Sequence, residues 1–462
     1  MDVMRKLFLL LLVCASSVFA DDLISDTREL TDRIGGRPTG SAACVRAEQW
    51  AADKLRAAGV DSVQLESYPL PNYWTSQAAT ASVVAPEAFA LRIAAAPMSG
   101  STVPDGVSGE LVDFGDGSPD ALAKVPSAKG KIAFVHTPLM KSLEDLFGDY
   151  MRVGGLIEAA RNSGVTAMLI ESSQARSLLY RHPMTLDGTS VKLPVAIVAR
   201  DQAERIARLM EKGAVKTQVR IASRTKAVTA RNVIGEIRGT DKADEIVIFG
   251  AHLDSWDLGT GALDNGVNSA GVIDVARQIK ASGVRPRRTM RFILFTGEEN
   301  GLIGSRAYVR AHLKEMPKVV LMMTADIGSG KALGYFLNGR EDLRAGAESG
   351  GLKENPIDAI DGTDNLDFLL AGVPNLVVWQ DPAPYLGDYH AESDTFDKVD
   401  QPQARENAAA EMKLLLHFAN AEERLPQQTR AEVDKLLVDR QLVDQMKAFG
   451  QWEEWAAGGR WK

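Results

Sequence analysis

At 462 residues the chain is too long for one ordinary domain and long enough for two or three. Its 45% hydrophobic and 25% charged residues match a folded globular protein and exclude a low-complexity one. A net charge of −8 argues against nucleic acid as a partner.

The first twenty residues differ from the rest. Arg5 and Lys6 precede an apolar run over 7–13, and Val18-Phe19-Ala20 places small residues at the usual cleavage positions. This reads as a signal peptide over 1–20, too short to serve as a permanent membrane anchor. A lipoprotein signal ending at Cys14 would need a small residue before it and finds Val13. No second long apolar segment follows. The expectation is therefore an exported chain, secreted or periplasmic, with no membrane span. Cleavage after Ala20 would remove Arg5, Lys6 and Asp2, taking the charge from −8 to −9 and leaving Cys44 with no partner for a disulfide.

Residues 26–59 read as helical, interrupted over 31–41; Ser41 is placed to cap the second helix and Gly59 to end it. Strands are expected at 63–68 and 79–84. From 86 to 224 strand patterns recur at 109–113, 131–136, 167–171, 191–199 and 217–221, with helices at 151–163 and 201–212. These strand ends show no cluster of ligand-type residues, and His136 and His182 stand alone, so the stretch reads as an insertion without chemistry of its own. Strands at 232–238 and 245–250 resemble a hairpin. Helices are expected at 268–282, 301–313, 366–371 and 403–422. The tail, 426–462, is charged and amphipathic, with Trp452, Trp455 and Trp461. It reads as helix packed on the main domain or as a partner-binding segment. The implied division is 21–85 and 225–425 for the main domain, 86–224 for the insertion and 426–462 for the tail.

The chemistry gathers where apolar strands end. Residues 246–251 run into His252-Leu-Asp254 and a glycine-rich loop reaching Asp264. Residues 290–296 run into Gly297-Glu298-Glu299, residues 319–324 into Ala325-Asp326, and 375–378 lead to a loop holding His390. Ligands of α/β proteins collect at the carboxyl ends of parallel strands. Histidine and carboxylates are what zinc takes, and two ions need a bridging carboxylate, further ligands and a separate base. Asp254, two residues from His252, could take that ring's second N–H. If extended, Glu298 and Glu299 would point opposite ways, one to ligate and one to face substrate. Gly328-Ser-Gly-Lys331 is not a P-loop, because Ala325 and Ala332 stand where glycine and a hydroxyl residue are required. No Gly-x-Ser-x-Gly or His-Glu-x-x-His occurs.

The ordered set His252-x-Asp254, Asp264, Glu298-Glu299, Asp326 and His390 resembles the M28 family of dinuclear zinc exopeptidases, and 252–264 looks most like its carboxypeptidase Q branch. Gly362-Thr-Asp364 and Asp394-Thr395 fit the same pattern. The similarity is clearest over 232–399 and traceable at 34–41. It implies a doubly wound, mostly parallel α/β sheet with an inserted α/β protease-associated (PA) domain, two zinc ions, a peptide substrate and a homodimer. By the same resemblance Asp264 bridges the ions, His252 and Asp326 complete one site, and Glu299 and His390 complete the other. Glu298 is then general base and acid, Asp254 orients His252 and Asp364 orients His390. Asn265 stands where relatives often have aspartate, at a non-ligand position. The resemblance leaves open a dipeptidase or carboxypeptidase-like action, an aminopeptidase on longer peptides, or a binding ectodomain of the same fold.

Overall fold

The computed structural model describes residues 22–360 and 362–459, so the expected signal peptide lies outside the described residues. Among them no helix is long and apolar enough to cross a membrane. Thirteen strands form the sheet: β1 (Ser62–Ala85), β2 (Phe89–Leu91), β3 (Ile93–Ala95), β4 (Val107–Asp113), β5 (Ile132–Val135), β6 (Ala167–Glu171), β7 (Val195–Val198), β8 (Lys216–Ile237), β9 (Lys242–His252), β10 (Arg288–Phe295), β11 (Val319–Thr324), β12 (Ala332–Phe336) and β13 (Asn375–Gln380). Their order is β12-β13-β11-β9-β10-β8-β4-β5-β6-β7-β3, with β1 paired to β8 and β2 to β1. The helices that matter here are α1 (Ala42–Ala57), α2 (Leu143–Ser163), α3 (Arg200–Met210), α4 (Val267–Ser282), α5 (Ile303–Ala311), α6 (Leu366–Leu370), α7 (Gln401–Asn420), α8 (Arg430–Asp439), α9 (Val443–Ala448) and α10 (Trp452–Ala456).

The sheet is mixed and mostly parallel. Strands β13, β11, β9 and β10 run parallel, as do β4, β5, β6 and β7. Alternation along β9 explains the layers. Val247, Phe249 and Ala251 face a core shared with α1, α4 and α7, whereas Ile246 and Ile248 face one shared with α5 and α6. The main sheet is thus covered on both faces, which is why its strands read as continuous apolar runs.

Three expectations change. The strands expected at 63–68 and 79–84 are one strand, β1, and those at 217–221 and 232–238 are one strand, β8. The two pair antiparallel almost end to end, from Ser62↔Glu236 to Ala85↔Lys216. Strand β8 crosses the expected boundary at 224 and β1 runs up to that at 85, and β4 bonds directly to β8, so a separate PA-like domain is not evident. The 232–238 and 245–250 strands form no hairpin, because β10 lies between them, antiparallel to β8 and parallel to β9. Periodicity marks strands but carries no information on which strand lies between two others.

Ser41 does cap α1, its hydroxyl accepting from the Cys44 amide at 3.0 Å. The tail packs on the main domain: Leu436, Leu437, Met446 and Trp455 share a core with Leu302, Leu366, Leu369 and Leu370. Trp455 is fully buried, donates to Asp434 at 2.8 Å and stacks under Arg430.

Candidate active site

Strands β9, β10 and β11 end side by side, so His252, the Glu298-Glu299 pair and Asp326 are delivered to one edge, and the loop after β13 brings His390 across. Asp264 lies between the two histidines. Its Oδ1 is 3.1 Å from His252 Nε2, and its Oδ2 is 3.1 Å from His390 Nε2. His252 Nε2 is also 2.9 Å from Asp326 Oδ1, and His390 Nε2 is 2.9 Å from Glu299 Oε2. Among the described residues the groupings with metal-ligand geometry are His252-Asp264-Asp326 and Asp264-Glu299-His390. They share one carboxylate, with one oxygen aimed at each half.

Both histidines are held by their other nitrogen. His252 Nδ1 is 3.0 Å from the Asp254 carbonyl, and His390 Nδ1 is 3.0 Å from the Arg181 carbonyl. A carbonyl can only accept, so each Nδ1 carries a proton and each Nε2 is the atom turned to the site, a lone-pair donor once a cation displaces the proton it holds. The Asp254 carboxylate stands farther from Nδ1, at 3.6 Å, and accepts a short hydrogen bond from Thr39. Asp254 therefore supports His252 chiefly through its main chain. Asp364, expected to orient His390, makes no hydrogen bond to it. Both its carboxylate oxygens are buried without a hydrogen-bond partner, and burial pushes its carboxyl up to about 8.

Glu298 and Glu299 lie in a turn rather than an extended segment, with the Glu298 carbonyl accepting from Gly301 and Leu302 amides. Glu299 is buried against His390, whereas Glu298 is half-buried and faces the cleft. Four carboxylates in a site this enclosed call for positive charge. Burial opposes charge on His390, but Glu299 and Asp264 outweigh it and raise it to about 10. Burial raises Glu299 to about 7 and holds Glu298 well above the usual carboxylate range, the latter reinforced by Asp326 and Glu299 and opposed by His252. Glu299 Oε1 is buried with no hydrogen-bond partner. Shared carboxylate, paired Nε2 lone pairs and an orphaned carboxylate oxygen all fit two divalent cations, which displace the protons those groups otherwise hold.

Several residues here escaped sequence reasoning. The Tyr385 hydroxyl donates to Asp264 Oδ2 at 3.0 Å; the tyrosine-rich run Pro384-Tyr-Leu-Gly-Asp-Tyr-His390 was the available sign. Arg37, fully buried, reaches the carbonyls of Leu253, Thr260 and Gly261. Asp394, marked in the sequence only by its place in the family pattern and given no role there, accepts the amides of Ala262, Leu263 and Asp264 at 2.6–3.2 Å, fixing the backbone of the shared carboxylate. His182 and His136 are not isolated: His182 packs on Tyr150 and Tyr180, and His136 lies beside Asp113 and Glu171 at neighbouring strand ends.

The site opens into a cleft of about 1020 Å³, part of it solvent. Its walls are apolar and come largely from outside the strand-end region. Helix α2 supplies Leu146, Phe147 and Tyr150, and the tail supplies Phe449. Among the described residues no lysine or arginine lines it.

Paired ligand triads sharing a carboxylate, at the carboxyl edge of a doubly wound sheet, define a metal-dependent hydrolase. The profile of peptidase family M28 matches residues 232–415. Carboxypeptidase Q of Mus musculus is 30% identical over 409 residues, covering 86% of this chain and 85% of that protein. A peptidase M28 precursor from Shewanella amazonensis superposes with a TM-score of 0.80 at 27% identity, covering 90% of this chain and 98% of that one. A zinc aminopeptidase from Bacillus subtilis shares the fold, with a TM-score of 0.69 at 22% identity over 89% of this chain and 97% of that one. The chain belongs to peptidase family M28 and is a metallo-exopeptidase.

Proposed function

We propose that this chain is an exported dinuclear zinc exopeptidase that cleaves dipeptides or short peptides, with Glu298 as general base. The observation that carries the reading is Asp264, whose two oxygens each face one histidine. His252 and Asp326 would hold one ion and Glu299 and His390 the other, with Asp264 shared. When bound, the ions supply Lewis-acid polarisation of the scissile carbonyl and make water acidic.

Glu298 is the carboxylate of the cluster that neither triad uses, and it lines the cleft beside His252 and Asp326. Its raised proton affinity suits a group that takes a proton from the attacking water and passes it to the leaving amine. The apolar walls exclude water and receive a side chain. A second observation favours recognition of the free amino end: among the described residues the cleft lining offers several carboxylates and no lysine or arginine to pair with a substrate carboxylate.

The test is hydrolysis of one Leu-containing dipeptide in three forms, with and without chelator. Cleavage of the free and carboxyl-amidated forms, but not the amino-acetylated form, is expected. A requirement for the free carboxylate would reverse the polarity assigned here. Glu298→Ala should keep both ions and lose about 10²–10⁴-fold in rate, the scale for removing a general base. Loss of zinc in that variant would make Glu298 a ligand instead.

A further inference from the structure

The two histidine loops are far apart in sequence, and one short segment outside residues 232–415 touches both. Residues 179–181 lie antiparallel to 390–392. The Arg181 amide donates to the His390 carbonyl at 3.0 Å, the Glu392 amide to the Leu179 carbonyl at 3.0 Å, and Tyr180 bridges to Ala391. His390 sits at φ +53°, a conformation that non-glycine residues adopt only when held. The same Arg181 carbonyl receives His390 Nδ1.

The Arg181 side chain turns the other way. It is 5% exposed; its Nε donates to Asp257 Oδ1 at 2.8 Å and its Nη1 to the Ala95 carbonyl at 2.6 Å, beside the Trp74 ring. Asp257 belongs to the loop that starts at His252 and ends at Asp264. Its neighbour Trp256 meets the His390 ring edge-on, 6.1 Å between centroids.

We infer that Arg181 is a positioning residue that sets the spacing of the two metal half-sites. Its backbone fixes His390, and its guanidinium fixes the 252–264 loop through Asp257. The stretch that reads as an insertion without chemistry therefore contributes a part of the metal centre. The inference rests on the dinuclear reading above. Its physical basis is that a ligand set holds two ions only where its members keep their separation, and a planar, two-ended guanidinium with a buried stem resists displacement. The residue touches neither substrate nor ion, so its effect must appear in metal affinity.

The experiment is chelator competition on the full-length zinc-loaded protein, read as zinc retained per chain, for the unaltered protein, Arg181→Met, Arg181→Lys and Asp257→Asn, with thermal unfolding measured alongside. Arg181→Met should surrender one zinc equivalent at a chelator concentration where the unaltered protein keeps two, with Arg181→Lys intermediate. Asp257→Asn alters a side chain 40% exposed, so the fold should tolerate it, and it should weaken the more labile zinc about three- to tenfold with little change in Tm. It decides the matter should Arg181→Met not fold. Wild-type chelator curves for Asp257→Asn, or for a folded Arg181→Met, would overturn the positioning role while leaving the dinuclear centre intact. An unaltered protein that binds no zinc would overturn both.

Discussion

Replacing Arg37 by methionine isolates what holds the 252–264 loop before any metal binds. The guanidinium is fully buried and donates to the carbonyls of Leu253 at 2.5 Å, Thr260 at 2.8 Å and Gly261 at 2.9 Å. Methionine retains much of the stem and none of the donors. Hydrogen bonds from a charged donor contribute about 1.5–3 kcal/mol each, so three lost bonds amount to roughly 5–9 kcal/mol gross. Removing a buried guanidinium also relieves a desolvation cost of several kcal/mol, which brings the net loss to about 3–5 kcal/mol. The loss falls between His252 and Asp264. If about 2 kcal/mol of it appears in metal affinity, zinc binding weakens roughly 30-fold. Thermal unfolding of the zinc-free protein and chelator competition on the loaded protein measure the two shares. Arg37→Lys should recover only part, since an ammonium cannot span three carbonyls. An Arg37→Met protein with unchanged Tm and zinc affinity would refute the reasoning and assign the loop's geometry to Asp394 alone.

Two further outcomes are expected. Glu411, on α7 and 3% exposed, has its carboxyl pushed up to about 8 by burial. Since that lies above the ordinary 4.5, its contribution to stability is full below about pH 4.5 and is lost as pH rises towards 8, costing about 3 kcal/mol by pH 7. Glu411→Gln should therefore raise Tm by several degrees at pH 7–8 and hardly at all at pH 4.5; an equal gain at both values would show that the carboxyl does not titrate as its burial implies. Phe449→Ala opens the tail's side of the cleft and should lower kcat/KM for bulky apolar dipeptides about tenfold, the scale of one lost apolar contact, with little change for Ala-Ala. A uniform loss across the dipeptide series would mean that Phe449 supports the fold rather than selectivity.

The strands and the candidate ligands were legible because both leave local marks. A strand buried on both faces is a continuous apolar run, and one that ends in His252, Glu298 or Asp326 announces its carboxyl end. The N-cap at Ser41 and the helices α4 and α7 were legible for the same reason. The partners of those ligands were not. His390 is oriented by a main-chain carbonyl 209 residues away, and a carbonyl has no residue type to read. The choice of Asp364 for that task followed family spacing and failed because the Arg181 carbonyl meets His390 Nδ1 while the Asp364 carboxylate is buried without a hydrogen-bond partner.

Sequence alone thus marked the candidate chemistry: the histidines and carboxylates that form two candidate metal-binding triads, and their place at strand ends. Tertiary structure decided the arrangement. It placed β10 between β8 and β9, joined the expected insertion to the main sheet through the β1–β8 ribbon, and brought α2 and the tail together as walls of the cleft. Periodicity records which face of an element is buried, but strand order, cleft walls and main-chain hydrogen bonds depend on what packs against that face, and a chain's local pattern does not encode it.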